Sequence, residues 1–188
     1  MARPKRPNKS RDLKIRRATR RDADAVAELA RQHNANHGDP VAHVTGAALR
    51  RDFFGRDPVG VVLIAHLDGA SAGYAMMTFA YDTAVAGRGC VVDGLYLTDS
   101  ARKRGVARVM MAAAAAEARR LGAHYLWWRS KAWDVAAQEF YRKLGAVEEP
   151  VMAHVLAHHR FAALAREGEA IAVAAAEPVG RASSAAPS

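Results

Sequence analysis

The amino-acid sequence predicts a single domain of the mixed α/β class. Its 188 residues match the usual size of one domain, and 51% of them are hydrophobic while 25% are charged, which is enough to bury one core. Strand-like and helix-like patterns follow one another along the chain in the order β-α-α-β-β-β-α-β-α-β. Strands interspersed with helices in this way are typical of a sheet covered by helices.

One strand, two helices and a hairpin are predicted in the first half of the chain. Period-two alternation indicates the first strand, Thr19 followed three residues later by Asp22 is typical of a helix start, and Asp68-Gly69 is a typical hairpin turn. The two helical patterns stop at residues 37–40 and at Gly55. The predicted elements are a strand at 13–18, helices at 23–33 and 45–54, and strands at 59–67 and 71–81.

Glycines and a proline divide the second half of the chain. Gly122 and Gly145 each follow a helical pattern, and Pro150 interrupts the final apolar segment. The predicted elements are a strand at 90–97, an Ala-rich helix at 101–121, a strand at 124–130, a helix at 133–144 and one or two strands within 147–157. We therefore expect a basic disordered tail at 1–11, a domain at 12–157, and at 158–188 a short helix followed from Ala170 by a disordered C-terminal tail.

The composition disfavours several classes of protein. No apolar run approaches the roughly 18 residues that a membrane span needs, and no hydrophobic segment follows the basic start as in a secretory signal. The single cysteine, Cys90, can form neither an internal disulfide nor a cysteine-based metal site. We expect a cytoplasmic protein with no membrane partner.

The net charge of +9 is concentrated at the N-terminal end. Residues 1–21 contain ten Lys or Arg and one acid, Asp12, so the rest of the chain is neutral overall. Such an excess can attract nucleic acid or another anionic partner. No helix-turn-helix pattern and no basic patch interleaved with aromatic residues accompanies it, so nucleic acid is not the expected partner.

Residues 91–108 are the most informative segment for function. An apolar strand leads into a short loop and a basic helix start with Gly105 and Ala107, where a ligand could approach the backbone closely. Free N–H groups at a helix N-terminus favour an anion, and four side chains add positive charge, namely Arg102, Lys103, Arg104 and Arg108. The pattern predicts a phosphate or pyrophosphate site that is neither a Walker P-loop nor a dinucleotide fingerprint. Taken alone, it is equally compatible with a solvated helix start.

Two motifs, in this order, resemble those of the GNAT acetyltransferase superfamily. Arg102, Gly105 and Ala107 match its acetyl-CoA-binding pattern Gln/Arg-x-x-Gly-x-Gly/Ala. Residues 134–146 are similar to its Asn-x-x-Ala-x-x-Phe-Tyr-x-x-Leu-Gly-Phe/Ala helix, with Asp134 in place of the usual Asn. The resemblance covers residues 12–157 and implies a single GNAT-type domain, with a mixed, mostly antiparallel twisted sheet flanked by helices. It implies acetyl-CoA as cosubstrate, in contact with Leu95, Tyr96, Leu97, Arg102, Lys103, Arg104, Gly105, Val106, Ala107, Arg108 and Asp134.

Two stretches resemble the diamine acetyltransferases, the spermidine/spermine type, within that superfamily. They are residues 93–97, Asp-Gly-Leu-Tyr-Leu, and residues 131–134, Lys-Ala-Trp-Asp, although Gly94 stands where that branch has an acid. The resemblance implies direct transfer of an acetyl group to the primary amine of a small molecule, either a polyamine or an amino-acid-like compound. A homodimer is compatible with it.

The resemblance also implies the catalytic groups. Acetyl transfer to an amine needs a base, a polarised carbonyl and an acid. Asp93 matches the position of a base that acts through water, and Tyr141 matches that of the acid that protonates the CoA sulfur. A backbone N–H at a bulge, from Leu97 or a neighbour, would polarise the carbonyl. The alternative interpretations are a structural carboxylate for Asp93 and a packed aromatic ring for Tyr141.

The histidines are not arranged as a metal site. His33 and His37 share a helical face, but no carboxylate or cysteine completes a metal site with them, and we expect no metal. Residues near His37 could instead line the acceptor pocket.

The alternative function is a GNAT-like module that binds CoA for regulation or interaction without productive catalysis.

Overall fold

Five strands form one sheet in the order β1-β2-β3-β4-β5. A computed structural model gives the structure of residues 12–84 and 86–176. Strands β1 to β4 pair antiparallel with their neighbours, whereas β5 pairs parallel to β4. The predicted mixed, mostly antiparallel sheet is confirmed. The strands are β1 (Leu13–Arg17), β2 (Gly60–Leu67), β3 (Ala70–Asp82), β4 (Gly87–Leu97) and β5 (Tyr125–Trp128).

Helices cover both faces of the sheet. On one face, Val26 of the first helix packs with Ile64 and Tyr74. On the other face, Met110 of the third helix packs with Met77. Each of these helices buries one apolar stripe against the sheet, as the α/β class requires. The helices are α1 (Ala23–His37), α2 (Gly46–Asp52), α3 (Val106–Arg120) and α4 (Val135–Leu144), with a 3-10 turn (Arg20–Asp22) before α1.

A β-bulge in β4 inverts the alternation of its side chains. Val92 and Gly94 pair with consecutive residues of β3, so Asp93 is the extra residue. Val92 packs on the α3 face, whereas Tyr96, four positions later, packs on the α1 face. Without the bulge these two residues would share a face, because side chains in a strand alternate with period two.

Helix α3 begins at Val106, five residues later than predicted. Lys103 and Gly105 have positive φ angles of 57° and 75°, which lie outside the right-handed helical region. Residues 101–105 therefore form turns between β4 and α3. The basic side chains of this loop are good helix formers, so propensity alone placed the helix start too early.

Helix α1 is longer than predicted and ends at His37 instead of residue 33. Gly38, with φ of 70°, is its C-cap and donates its backbone N–H to the carbonyl of Ala35. The extra turn brings His37 to the end of the helix, on the same face as His33.

The residues from Val147 onward form a second compact unit. The strands predicted within 147–157 are wrong, because this segment has no strand along its described length. Pro150 has no N–H for a strand ladder, and Val147 is 86% exposed. Helix α5 (His158–Ala176) has 19 residues, so it is longer than expected and extends past Ala170. The tail predicted at 1–11 and the part of the predicted C-terminal tail at 177–188 lie outside the described residues.

Candidate active site

The C-terminal half of β4 lacks a neighbour on the β5 side. The last β4–β5 pair joins Val92 to Trp128, and β4 continues from there to Leu97. Within the described residues, no other strand pairs with this edge. The backbone N–H and C=O groups that point to that edge are therefore available to a ligand, except the Leu97 carbonyl, which accepts from Arg102. Three of the predicted cofactor contacts, Leu95, Tyr96 and Leu97, lie along it.

The start of α3 has the features of an anion site. Gly105 is its N-cap with φ of 75°, no side chain caps the helix, and its first turn contains no acidic residue. The free N–H groups of the first turn and the positive end of the helix dipole point toward the Gly105 end of α3. Lys103 and Gly105 both have positive φ, a conformation that occurs in the backbone nests whose successive N–H groups bind anions. Val106 and Ala107 form the first residues of the helix.

The four cations of this loop differ in their surroundings. The Arg102 guanidinium donates from Nε to the Leu97 carbonyl at 3.0 Å and pairs with Asp99 at 3.0 Å. It also lies 5.5 Å from the centre of the Tyr96 ring. Arg102 therefore ties the loop to the end of β4. The other three are exposed and make no ion pair within the described part of the chain, namely Lys103, Arg104 and Arg108.

A cavity of about 610 Å³ opens between α3, β5 and the end of α4. Arg108 and Trp128 line it together with small side chains of α3, Ala112 and Ala115, and Leu144 of α4. Because Trp128 also ends the β4–β5 pairing, the cavity adjoins the gap between these strands. A predominantly apolar space with a cation at its edge suits a ligand with an apolar part and an anionic part.

Tyr141 lies at the end of β5, beside that gap. Its ring packs against Trp128 with ring centres 5.1 Å apart and against Phe140 at 5.2 Å. Burial, and next the negative charge of Asp134, raise the pKa of Tyr141 above its ordinary value. Within the described residues its hydroxyl has no hydrogen-bond partner, so the proton is free to be donated.

The carboxylate of Asp93 is held by one hydroxyl. Thr78 donates to Asp93 Oδ2 at 2.6 Å, and the side chain projects from the bulge into solvent. Asp93 Oδ1 has no partner in the described part of the chain. A carboxylate in this state can accept a proton or bind a water molecule.

Asp134 is the N-cap of α4. Its Oδ1 accepts the backbone N–H of Ala137 at 3.0 Å, and its Oδ2 lies 3.8 Å from Nε2 of His37. The carboxylate thus faces the first turn of its own helix and the end of α1. The sequence motif did not reveal the contact with His37, which is far away along the chain.

A group of aromatic residues beside β4 was missed by the sequence analysis. The His33 ring accepts from or donates to the Tyr74 hydroxyl at 2.9 Å, and it stacks on Tyr96 with ring centres 5.6 Å apart. Burial lowers the pKa of His33 to about 4, so this ring is neutral near pH 7. Gly94 lies against the same group, because a Cβ at this position would be 2.7 Å from the Tyr74 hydroxyl. A side chain at residue 94 would displace Tyr74.

Residues 12–84 and 86–176 contain neither a metal-binding cluster nor a membrane-spanning helix. No group of three or more His, Cys, Asp or Glu side chains could hold a metal ion. No helix has the length and apolar content needed to cross a membrane.

Comparisons with known proteins identify the family. The model of the acetyltransferase (GNAT) family matches residues 23–146. An integron cassette protein from V. cholerae has a similar structure, with a TM-score of 0.68, 20% identity, and coverage of 82% of this chain and 98% of that one. Two acetyltransferases are also similar in structure. For the aminoglycoside N-acetyltransferase AAC(6')-Iy in complex with CoA, the TM-score is 0.65 at 20% identity, covering 80% of this chain and 99% of that one. For the ribosomal-protein-alanine N-acetyltransferase from Brucella melitensis biovar Abortus 2308, the TM-score is 0.64 at 18% identity, covering 78% of this chain and 100% of that one.

A comparison with curated proteins found no significant match to the chain. The structural similarities, all at low identity, support the fold, and the family model covers well over half of the sequence. The chain belongs to the acetyltransferase (GNAT) family.

Proposed function

We propose that this GNAT acetyltransferase transfers an acetyl group from acetyl-CoA directly to the primary amine of a small molecule, a polyamine or an amino-acid-like compound. The observation that carries the proposal is the position of Tyr141. Its hydroxyl has no partner within the described residues, and its ring lies against Trp128, where the β4–β5 pairing ends. An acid at this point could reach a leaving group bound between the two strands.

The residues present fit the anionic part of acetyl-CoA. The start of α3 has no side-chain cap and no acid in its first turn, and three exposed cations surround it. We assign the pyrophosphate to the backbone of 103–107, with Lys103, Arg104 and Arg108 supplying charge and Arg102 holding the loop to β4. The free edge of β4 at Leu95 and Leu97 would hold the amide-containing arm by backbone hydrogen bonds, whereas the backbone of Tyr96 between them faces its register partner Tyr74 on β3.

The catalytic steps follow from the groups beside the gap. Acetyl-CoA, when bound, supplies the acetyl group as a thioester. Asp93, through a water on its free Oδ1, removes the proton from the ammonium form of the acceptor. A backbone N–H of β4, at Leu97 or a neighbour, polarises the carbonyl oxygen. As the neutral amine nitrogen bonds to the carbonyl carbon and the C–S bond breaks, Tyr141 donates its proton to the departing sulfur. The second proton lost by the nitrogen passes through solvent and restores the Tyr141 hydroxyl, whose raised pKa keeps it protonated at neutral pH.

A small amine as acceptor is supported by two observations. Several structurally similar proteins are named aminoglycoside acetyltransferases, whose acceptors carry amino groups. Residues 93–97 and 131–134 also resemble the diamine branch, although Gly94 stands where that branch has an acid. A homodimer and a cytoplasmic location stay predictions from the sequence.

The proposal is tested by measuring CoA release from acetyl-CoA with a panel of polyamines, amino acids and aminoglycosides. The Tyr141→Phe variant should lower turnover about tenfold or more while leaving the affinity for acetyl-CoA nearly intact. Tyr81→Phe, at a strand residue that is 62% exposed, is the matched control and should keep full turnover. Acetyl-CoA binding without turnover on any amine would contradict the proposal and favour a CoA-binding module.

A further inference from the structure

The end of α1 and the start of α4 are joined by three side-chain contacts. His37 Nε2 lies 3.8 Å from Asp134 Oδ2, and the His37 ring packs against Trp133 with ring centres 5.5 Å apart. Nearby, Lys131 Nζ donates to Asp39 Oδ1 at 3.1 Å. The residues are distant in sequence, so these contacts connect two separate parts of the site.

The same contacts continue to β4. The His37 ring packs on His33 with ring centres 4.7 Å apart, and His33 stacks on Tyr96. A chain of touching side chains therefore extends from the free half of β4 through α1 to the first turn of α4. It connects the two sides of the gap at which the β4–β5 pairing ends.

The two oxygens of Asp134 have different partners. Oδ1 accepts the Ala137 N–H within α4, and Oδ2 faces His37. An asparagine would cap the helix about as well, but it has an amide nitrogen in place of the second carboxylate oxygen that faces His37. His37 and Asp134 are 23% and 28% exposed, so solvent screens their contact less than it screens a pair at the surface. The acid that replaces the usual Asn thus has a partner of its own in this chain.

The loop before α4 is held in the same place. Gln138 donates from its amide to the carbonyls of Lys131 and Ala132, at 3.2 and 3.0 Å. The segment 131–138 is therefore connected internally, and a displacement at Asp134 would move the whole start of α4. Tyr141 lies two helical turns after Asp134 on this helix, so its hydroxyl would move as well.

We propose that His37 and Asp134 act as a pair of positioning residues that hold the first turn of α4, and with it the Tyr141 hydroxyl, in place relative to the free half of β4. Asp134 then serves this pair and does not contact CoA. The inference rests on the proposed role of Tyr141 as the acid. Displacing a reacting group by about 1 Å can cost on the order of a hundredfold in rate, so a modest shift is expected to be measurable.

The first test is a double-mutant cycle on kcat. Asp134→Asn keeps the helix cap and removes the charge, while His37→Phe keeps the ring contacts and removes the nitrogen. Each variant should lower kcat about tenfold, with the KM for acetyl-CoA changed about twofold or less, and the double variant should be no slower than the slower single variant. His43→Phe, in the exposed loop after α1, is the matched control and should behave as the unaltered protein. Multiplying losses in the double variant would overturn the pair. So would a large rise in the Kd of acetyl-CoA in Asp134→Asn with kcat unchanged.

The second test does not depend on turnover. Hydrogen exchange of the amides in 135–138 is measured for the full chain without substrates. His37→Phe should speed this exchange severalfold, because Asp134 loses one of its two anchors, and His43→Phe should not. Unchanged exchange in His37→Phe overturns the positioning role whatever the activity. Faster exchange in a protein that acetylates no amine supports the pair and contradicts the proposed function.

Discussion

The starts of α3 and α4 provide a comparison of two helix N-termini in one site. Each lies within one of the two sequence motifs, and neither has an acid in its first turn. At α4, the Asp134 side chain occupies the helix start and accepts the Ala137 N–H. At α3, the N-cap is Gly105 and no side chain accepts from the first turn. Both helix starts resemble motifs of the family, but they differ in what they can bind. Only α3, which has no side-chain cap, leaves the N–H groups of its first turn to a ligand.

The largest effect expected from this comparison is at Gly105. Gly105→Ala places a Cβ at φ of 75°, which strains the backbone and reorients the first N–H groups of α3. Acetyl-CoA should bind about tenfold more weakly or worse, as measured by calorimetry.

Gly122 at the other end of α3 is the matched control. It has φ of 83°, and a Cβ would meet no atom within 4 Å at either glycine, so both alanines cost stability through φ alone. Both variants should lower the free energy of unfolding by roughly 1 kcal/mol, but only Gly105→Ala should weaken acetyl-CoA binding. Equal binding by the two variants would refute the anion site at α3.

A smaller effect is expected on the pH dependence of turnover. Burial and the charge of Asp134 raise the pKa of Tyr141, so the acid stays protonated to higher pH than an ordinary tyrosine, whose pKa is about 10. The alkaline fall of kcat should therefore begin above that value. Asp134→Asn removes the negative charge and should move the fall to lower pH. Identical pH–rate profiles of the unaltered protein and Asp134→Asn would contradict an influence of the Asp134 charge on the pKa of Tyr141.

A further severalfold effect separates the cations at the two ends of α3. Arg104→Gln removes an exposed charge beside the helix start and should weaken acetyl-CoA binding by about two- to fivefold, with a smaller dependence on salt. Arg120→Gln, at the C-terminal end of the same helix and outside the lining of the cavity, should change neither. If both substitutions weaken binding equally, the effect comes from overall charge, and the start of α3 is not the anion site.

Local patterns predicted the elements of the sheet and the helices that cover it, but not how they meet. Thr19 with Asp22, the Asp68-Gly69 turn and Gly145 each act through near neighbours, and their predictions are confirmed. The bulge at Asp93 depends on pairing with β3, and the contact of His37 with Asp134 joins distant segments. Neither leaves a periodic signal in the sequence.

The wrong predictions have the same cause. Basic residues before Gly105 favour a helix by propensity, but the positive φ of Lys103 and Gly105 delays α3 to Val106. Apolar residues in 147–157 favour strands, but a strand needs a neighbour, and this segment has none within the described chain. Propensity describes a residue's preference, whereas tertiary contacts decide whether the preference is realised.

The last expected effect concerns His33 of α1, whose ring packs on His37 and should affect stability without ligand. Burial lowers the pKa of His33 to about 4 from the 6.5 of an unfolded chain. As the pH falls, His33 is protonated in the unfolded chain before it is protonated in the folded protein. The free energy of unfolding is therefore highest above pH 6.5 and decreases as the pH drops toward 4. His33→Gln can still hydrogen-bond to Tyr74 and should flatten the decrease of Tm between these pH values, while His43→Gln should keep the original slope. Parallel curves for the unaltered protein and His33→Gln would show that the buried imidazole does not carry this pH dependence.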